Sequence, residues 1–156
     1  MAEEAGENVT LKGLGIFAGK VHILPSSIYY EDTDLSGMVY HANYLRYMER
    51  GRTEFFRLAG ISRARLEDEE PTAWTIRRIA VEYFRPARLD DQIAVHSVLT
   101  EVSGARLKAL QRVRRGDQLL VEGRIEACIT TLTGKPRRLP RIVHQTLAPF
   151  VTAEET

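Results

Sequence analysis

Three carboxylates lie close together just ahead of a long amphipathic segment. Glu31, Asp32 and Asp34 fall within four positions, and a turn containing Gly37 follows them. The next segment, from about Asn43 to Ala59, has the apolar spacing of a helix. A carboxylate beside a helix N-terminus can be reactive, because the free N–H groups and the positive dipole end polarise a carbonyl. The carboxylate, or a water molecule that it activates, can then attack that carbonyl.

Asp32 and Asp34 are two positions apart, so an extended backbone would point both side chains to the same side. Two neighbouring carboxylates raise the pKa of one of them by mutual repulsion, which suits a nucleophile or a general base. The same acids could instead cap the helix or bind a nearby arginine. Spacing alone leaves the reactive pair and the structural cap both open.

Other chemistries fit this chain less well. Residues 32–37 match the start of an EF-hand loop, but position 12, which must be a bidentate carboxylate, is Asn43. The sequence has no G-x-S-x-G nucleophile elbow, and the single cysteine, Cys128, lies in an alternating strand pattern. One cysteine and four scattered histidines give no zinc-ligand spacing and no intrachain disulfide. We therefore expect no metal site.

Length and composition are ordinary for a soluble globular protein of one domain. Among 156 residues, 22 Lys and Arg balance 21 Asp and Glu, for a net charge of +1. This balance gives no reason to expect a nucleic acid or an anionic membrane as partner. The first residues do not form a basic stretch followed by an apolar one, and no apolar run approaches the roughly 20 residues of a membrane span. We expect a cytoplasmic protein.

The domain boundaries follow from the same composition. Residues 1–18 open with an acidic, glycine-containing tract and are predicted to be a flexible arm, with a short edge segment at Leu14–Phe17 left open. Residues 19–150 are predicted to form one domain, and residues 151–156 a tail. A polar loop is expected from Ile61 to Pro71, with a helical turn within Arg63–Glu67 left open.

The hydrophobic pattern predicts α+β architecture: a strand, one long helix, and four strands in hairpin succession. The helix should end at Gly60, and its interior Gly51 should mark a close approach to the sheet, since glycine costs about 1 kcal/mol there relative to alanine. One helix on one face of an antiparallel sheet leaves apolar surface to cover. A homodimer or a larger homo-oligomer would cover it.

The sequence from Tyr30 to Arg57 resembles the hot-dog-fold thioesterases of the 4-hydroxybenzoyl-CoA thioesterase family, and most of all the small bacterial branch associated with the Tol-Pal system. The shared pattern is D-x-D-x-x-G-x-V-[YF]-[HY]-x-x-Y. It is matched here by Asp32, Asp34, Gly37, Val39, Tyr40, His41 and Tyr44. The Tyr83–Ala87 stretch and the Arg138–Pro140 ending are also similar to the family, and the likeness covers roughly residues 22–150.

The resemblance implies a hot-dog fold, a five-stranded antiparallel sheet wrapped around the central helix, in a dimer that often pairs into a tetramer with active sites at the subunit interface. It implies hydrolysis of acyl-CoA with Asp34 as nucleophile or general base and the backbone N–H of His41 polarising the carbonyl. It requires no cofactor beyond the CoA of the substrate. The expected substrate-binding residues are Tyr30, Gly37, Val39 and Tyr40, with Arg106 and Lys108 as candidates for the CoA phosphates.

Two other functions remain open on the sequence. A hot-dog dehydratase or hydratase would move protons with His41 and an acid such as Glu49, and would leave Asp34 idle. A non-catalytic subunit would only bind acyl thioesters. The acyl chain length, and an acyl-carrier protein in place of CoA, are also open.

Overall fold

The computed structural model describes residues 15–61 and 72–153. These residues form two α-helices, seven strands, and short 3-10 turns at Tyr30–Asp32 and Ala148–Phe150. The helices are α1 (Asn43–Ala59) and α2 (Arg141–Leu147). The strands are β1 (Ile16–Ala18), β2 (Val21–Ser27), β3 (Thr72–Tyr83), β4 (Gln92–Val102), β5 (Arg106–Arg115), β6 (Gln118–Thr131) and β7 (Pro136–Arg137).

The strands form one antiparallel sheet in the order β1-β2-β4-β5-β6-β3, and β7 pairs with β6. The five long strands of the predicted sheet are therefore present, with β1 and β7 as short additions. Pro25 of β2 is paired with Ala94 of β4 on one side. On the other side, β1 pairs only with residues 21–23, so the missing N–H of Pro25 does not remove a hydrogen bond between strands. The hot-dog fold is confirmed.

Helix α1 packs its apolar face on this sheet, as its spacing predicts. Its buried residues are Tyr44, Tyr47, Met48, Gly51 and Phe55, and it ends at Gly60 with a left-handed φ of 103°. A Cβ built on Gly51 would lie 2.8 Å from Val95 Cγ1 and 3.0 Å from Gln111 Nε2. The predicted close approach is therefore real, and only glycine brings this helical turn so near the sheet.

The predicted arm and tail both need adjustment at their inner ends. Residues 16–18 lie in strand β1, because their backbone pairs with residues 21–23, so the edge segment that the sequence left open exists and the arm cannot extend to residue 18. The N–H of Thr152 donates to the carbonyl of Leu99 at 2.9 Å, which attaches the start of the tail to β4. Residues 1–14 and the possible turn at Arg63–Glu67 lie outside the described residues.

Neither helix in the described part of the chain combines the length and the apolar character that crossing a membrane requires.

Candidate active site

Asp34 begins a tight turn that lies beside the start of α1. Its N–H donates to the carbonyl of Met38 at 2.9 Å, and its carbonyl accepts from the N–H of Gly37 at 3.1 Å. Thr33 and Val39 form an antiparallel bridge at the base of the turn. Gly37 has a φ of +77°, which non-glycine residues rarely adopt. This closed turn presents the Asp34 side chain to solvent.

Ser36 holds one oxygen of the Asp34 carboxylate. Both its backbone N–H, at 2.8 Å, and its hydroxyl donate to Oδ1 of Asp34. Oδ2 makes no hydrogen bond to the described residues. The Ser36 hydroxyl, and next its backbone N–H, lower the pKa of Asp34, and the nearby charge of His41 contributes less. The carboxylate is therefore ionised at neutral pH with one oxygen available for reaction.

The predicted pair of carboxylates does not form. Tyr30–Asp32 is a 3-10 turn and not an extended strand, so Asp32 points inward. Its side chain is buried and Oδ2 accepts the N–H of Tyr29 at 2.9 Å. The expectation that mutual repulsion raises the pKa was wrong for Asp34, whose pKa is lowered by Ser36.

Asp32 instead joins the turn to the helix. Its backbone carbonyl accepts from the N–H of Tyr40 and from Nδ2 of Asn43, each at 2.9 Å. Asn43 is the first residue of α1, so these two bonds fix the turn that carries Asp34 against the helix start. Asp32 therefore has a structural role, but it is not the helix cap that the sequence left open, because its carboxylate accepts the N–H of Tyr29 and no N–H of α1.

The N-terminus of α1 has unused hydrogen-bond donors. Ala42 at the N-cap position supplies no side-chain cap. The N–H of His41 makes no hydrogen bond within the described part of the chain, and the residue is exposed. A helix start without a cap offers its N–H groups and its positive dipole end to an anion or a polarised oxygen.

The end of β3 forms the opposite wall. The Tyr83 hydroxyl donates to the carbonyl of His41 at 2.9 Å. Ala87 accepts the N–H of Val39 at 2.9 Å and donates its own N–H to the Tyr44 hydroxyl at 2.9 Å. The resulting cleft measures about 400 Å³ and is lined by Asp34, Met38, Val39, His41, Tyr44, Tyr83, Phe84, Arg85 and Pro86.

The predicted site residues divide into three groups. Asp34, His41 and Val39 line the cleft. Gly37, Tyr40 and Tyr30 are neighbours of these along the chain without lining it, and Tyr40 packs against His41 with ring centroids 4.6 Å apart. Arg106 and Lys108 lie on β5 outside the cleft, in ion pairs with Glu126 at 3.0 Å and Glu101 at 3.6 Å.

Sequence reasoning missed Ser36, Tyr83 and Arg85 as parts of the site. Ser36 lies two positions after Asp34, the spacing at which an aspartate commonly accepts a local N–H, so this contact had a detectable signal. Tyr83 and Arg85 belong to the Tyr83–Ala87 stretch, which the sequence reasoning counted toward the family resemblance and not toward the site. Their place in the cleft depends on the pairing of β3 with β6, which brings the end of β3 to the helix start.

A larger depression of about 540 Å³ lies elsewhere on the sheet. Its charged lining includes Lys20, Arg112, Arg114 and Asp117. Arg112 is paired with Glu122 at 2.8 Å, and Lys20 donates to the carbonyl of Val151 at 2.9 Å. This depression has no carboxylate beside a helix terminus, so the smaller cleft is the candidate active site.

The amino-acid sequence is similar to a family model and to the sequences of known proteins. Residues 29–150 match the model of the thioesterase-like superfamily. The acyl-CoA thioester hydrolase YbgC of Escherichia coli O157:H7 is 38% identical over 121 residues, which cover 76% of this chain and 90% of that protein. The acyl-CoA thioesterase YbgC of Haemophilus influenzae is 37% identical over 120 residues, with 76% and 88% covered.

A solved structure agrees. The crystal structure of a probable thioesterase from Bartonella henselae superposes with a TM-score of 0.73 at 35% identity, and the match covers 77% of this chain and 99% of that one.

Proposed function

The chain belongs to the thioesterase-like superfamily and is an acyl-CoA thioester hydrolase, and we propose that Asp34 and the N-terminus of α1 carry out the reaction. One observation carries this assignment of roles. An ionised carboxylate with a free oxygen and a helix N-terminus without a cap line the same cleft. The two groups match the two needs of thioester hydrolysis: a nucleophile or base, and stabilisation of the developing oxyanion.

The carbonyl oxygen of the thioester binds at the N–H of His41 in this proposal. Charge develops on that oxygen as the carbonyl carbon is attacked, and a donor already in place needs no reorganisation. Removal of one such donor typically costs about 10²–10³ in kcat. The donor is a backbone group, so among substitutions at position 41 only proline would delete it.

Asp34 acts on the carbonyl carbon by one of two routes. In the first, Oδ2 attacks, the C–S bond breaks with departure of CoA thiolate, and water hydrolyses the resulting mixed anhydride. In the second, Oδ2 takes a proton from water as the water oxygen attacks the carbonyl carbon, and the C–S bond then breaks with departure of CoA thiolate, which takes up a proton. Both routes need an ionised Asp34, and the hydrogen bonds from Ser36 maintain that state. Neither route needs a metal or a redox cofactor.

The substrate is proposed to lie across the turn and the bend. Of the predicted binding residues, Val39 lines the cleft and is proposed to contact the acyl thioester. Gly37, Tyr40 and Tyr30 do not line it and are proposed to act through the turn that carries Asp34. We do not propose Arg106 and Lys108 as contacts of the CoA phosphates, because both are ion-paired and lie outside the cleft. Arg85 is the cleft-lining cation and takes their role.

We further propose a cytoplasmic homodimer that can pair into a tetramer. β3 is the last strand of the sheet at one edge, and Ile76, Tyr83 and Phe84 on or beside it are exposed. An open edge with apolar side chains is suited to pairing with a second copy. An acyl-carrier protein remains the alternative carrier of the acyl group.

The test measures thiol release from short-chain, long-chain and aromatic acyl-CoAs by the wild type, Asp34→Asn and Asp34→Ala. We expect hydrolysis by the wild type, and a loss of kcat of about 10³-fold or more in both variants, because each removes the nucleophile or base. Asp117→Asn is the matched control, since it neutralises an exposed carboxylate outside the cleft.

Three outcomes would contradict the proposal. If no substrate released thiol, the assignment as a hydrolase would be wrong. If Asp34→Ala were unimpaired, Asp34 would not be the reacting group. Water addition to an enoyl-CoA would favour a hydratase. The structure gives that alternative little support, because Glu49 does not line the cleft with His41.

A further inference from the structure

The hydroxyl of Tyr83 is bound to the residue that supplies the proposed oxyanion donor. It donates to the His41 carbonyl at 2.9 Å. The Tyr83 ring meets the His41 ring edge-on, with centroids 6.2 Å apart, and the Tyr44 ring with centroids 5.7 Å apart. Tyr83 therefore contacts both the turn before α1 and the first turn of the helix.

The sheet, and not a loop, holds Tyr83 in place. Tyr83 is the last residue of β3 and pairs with Val121 of β6. The next residue, Phe84, donates its N–H to the carbonyl of Leu120 at 2.8 Å. A hydroxyl at the end of a paired strand is a fixed point that can restrain the backbone of the turn before α1.

The turn before α1 needs such a fixed point. The N–H of Asn43 donates to the Tyr40 carbonyl at 2.9 Å, which holds the peptide plane that contains the His41 N–H on the side of the turn. His41 lies outside the helix and Ala42 contributes no side-chain cap, so the next plane, which contains the His41 carbonyl, is not fixed by helix geometry. The N–H and the carbonyl of His41 share the same Cα. They belong to adjacent peptide planes whose relative orientation is set by the φ and ψ of His41. A bond that holds the carbonyl plane restrains these two angles, and with them the direction of the N–H relative to the sheet.

We propose that Tyr83 is a positioning residue for the reaction: its hydroxyl holds the His41 carbonyl so that the His41 N–H points at the thioester oxygen. This inference rests on the proposed function. The single proton of the hydroxyl is used in the bond to the His41 carbonyl, so in this proposal Tyr83 is not a hydrogen-bond donor to the thioester. A misdirected oxyanion donor weakens transition-state binding while leaving ground-state binding of CoA almost unchanged.

Tyr83→Phe isolates this effect, because it removes one oxygen atom and keeps the ring. We expect kcat to fall by about 10- to 100-fold, less than the loss typical of deleting an oxyanion donor, with KM within about twofold. Tyr29→Phe is the control, since Tyr29 is an exposed tyrosine on the approach to the same turn and does not line the cleft. Its kcat and KM should equal those of the wild type.

A dithioester analogue of the substrate gives a second measurement. Its carbonyl oxygen is replaced by sulfur, which accepts a hydrogen bond weakly, so it benefits little from an aligned N–H. The wild type should prefer the thioester by a large kcat ratio, and Tyr83→Phe should reduce this ratio severalfold. Each ratio comes from one preparation, so it does not depend on the fraction of folded protein.

A wild-type kcat in Tyr83→Phe would overturn the inference, as would a loss confined to KM or an unchanged thioester-to-dithioester ratio. A basic limb of the pH–rate profile that disappears in Tyr83→Phe would also overturn it, because that result would make Tyr83 a proton donor. The proposed function stands in these cases if Asp34→Ala is inactive. It falls only if Asp34→Ala retains activity or the wild type releases no thiol.

Discussion

The two ends of α1 differ in how their backbone polar groups are satisfied. At the C-terminus, Gly60 adopts a left-handed conformation, and its N–H donates to the carbonyls of Phe56 and Arg57 at 3.1 and 3.2 Å. Ile61 donates to Phe56 as well, at 2.9 Å. At the N-terminus, Ala42 gives no cap, and the His41 N–H has no acceptor among the described residues.

The surroundings of the two ends differ in the same way. Phe55, near the C-terminus, is 1% exposed and packs edge-on against Phe17 and Phe150, with centroids 5.0 and 5.6 Å away. Asp34 and His41, at the other end, are exposed and line a cleft. The chain satisfies the polar groups of the C-terminal end internally, whereas at the N-terminal end the His41 N–H has no acceptor among the described residues. In the proposed function, that N–H binds the substrate. We therefore expect stability and catalysis to be separable along one helix.

The largest effect on stability should come from Phe55→Ala. Truncation of a buried phenylalanine usually costs about 3–5 kcal/mol of unfolding free energy, through lost transfer energy and the cavity left behind. Urea unfolding measures the loss, and Leu45→Ala, at a 37%-exposed position of the same helix, is the control. We expect the kcat of the molecules that remain folded to equal that of the wild type. A kcat loss as large as that of Asp34→Ala would show that the two ends are not separable.

Gly51→Ala tests the middle of the helix, between the two ends. Alanine gains about 1 kcal/mol of helix propensity over glycine, but the new methyl would lie 2.8 Å from Val95 Cγ1. Overpacking of a close contact costs about 1–3 kcal/mol, so we expect net destabilisation, measured as a lower urea midpoint. Gly104→Ala is the matched control, because a Cβ there would meet nothing within 4 Å. A stabilised Gly51→Ala would mean that the sheet yields at this point.

Ser36→Ala should change the pH dependence of the reaction and leave stability nearly unchanged. Asp34 must be ionised, so activity falls as the pH drops through its pKa in the folded protein. The Ser36 hydroxyl is the largest cause of the lowered pKa of Asp34. Its removal should raise that pKa and move the acidic limb of kcat/KM to higher pH. The other ionisable side chains that line the cleft, His41, Tyr44, Tyr83 and Arg85, are the same in both proteins.

Thr33→Ala is the control for that profile. Its hydroxyl lies in the same turn but donates to the carbonyl of Tyr30 at 2.8 Å and not to Asp34. The acidic limb should stay in place. An equal shift in both variants would mean that general loosening of the turn, and not the loss of one hydrogen bond, sets the pKa.

The regular parts of the fold were predictable because they depend on local spacing. The apolar period from Tyr44 to Phe55 and the glycine at position 60 gave the bounds of α1, and alternation gave the long strands. The segment Tyr30–Asp32 is a 3-10 turn and not the extended backbone that would have pointed Asp32 and Asp34 to the same side. Its conformation depends on the Asp32 carboxylate accepting the Tyr29 N–H, a contact that the period of side chains does not report.

The sequence by itself determined the family, the catalytic candidates Asp34 and His41, and the helix α1, which begins at the site and packs its apolar face on the sheet. These features depend on residue type and on near neighbours in the chain. Only the tertiary structure decided that Asp32 is buried away from Asp34, that Arg106 and Lys108 are ion-paired, and that Tyr83 reaches His41 across 42 positions. Contacts over such separations depend on which strands pair and in which register, and strand pairing is a property of the whole sheet.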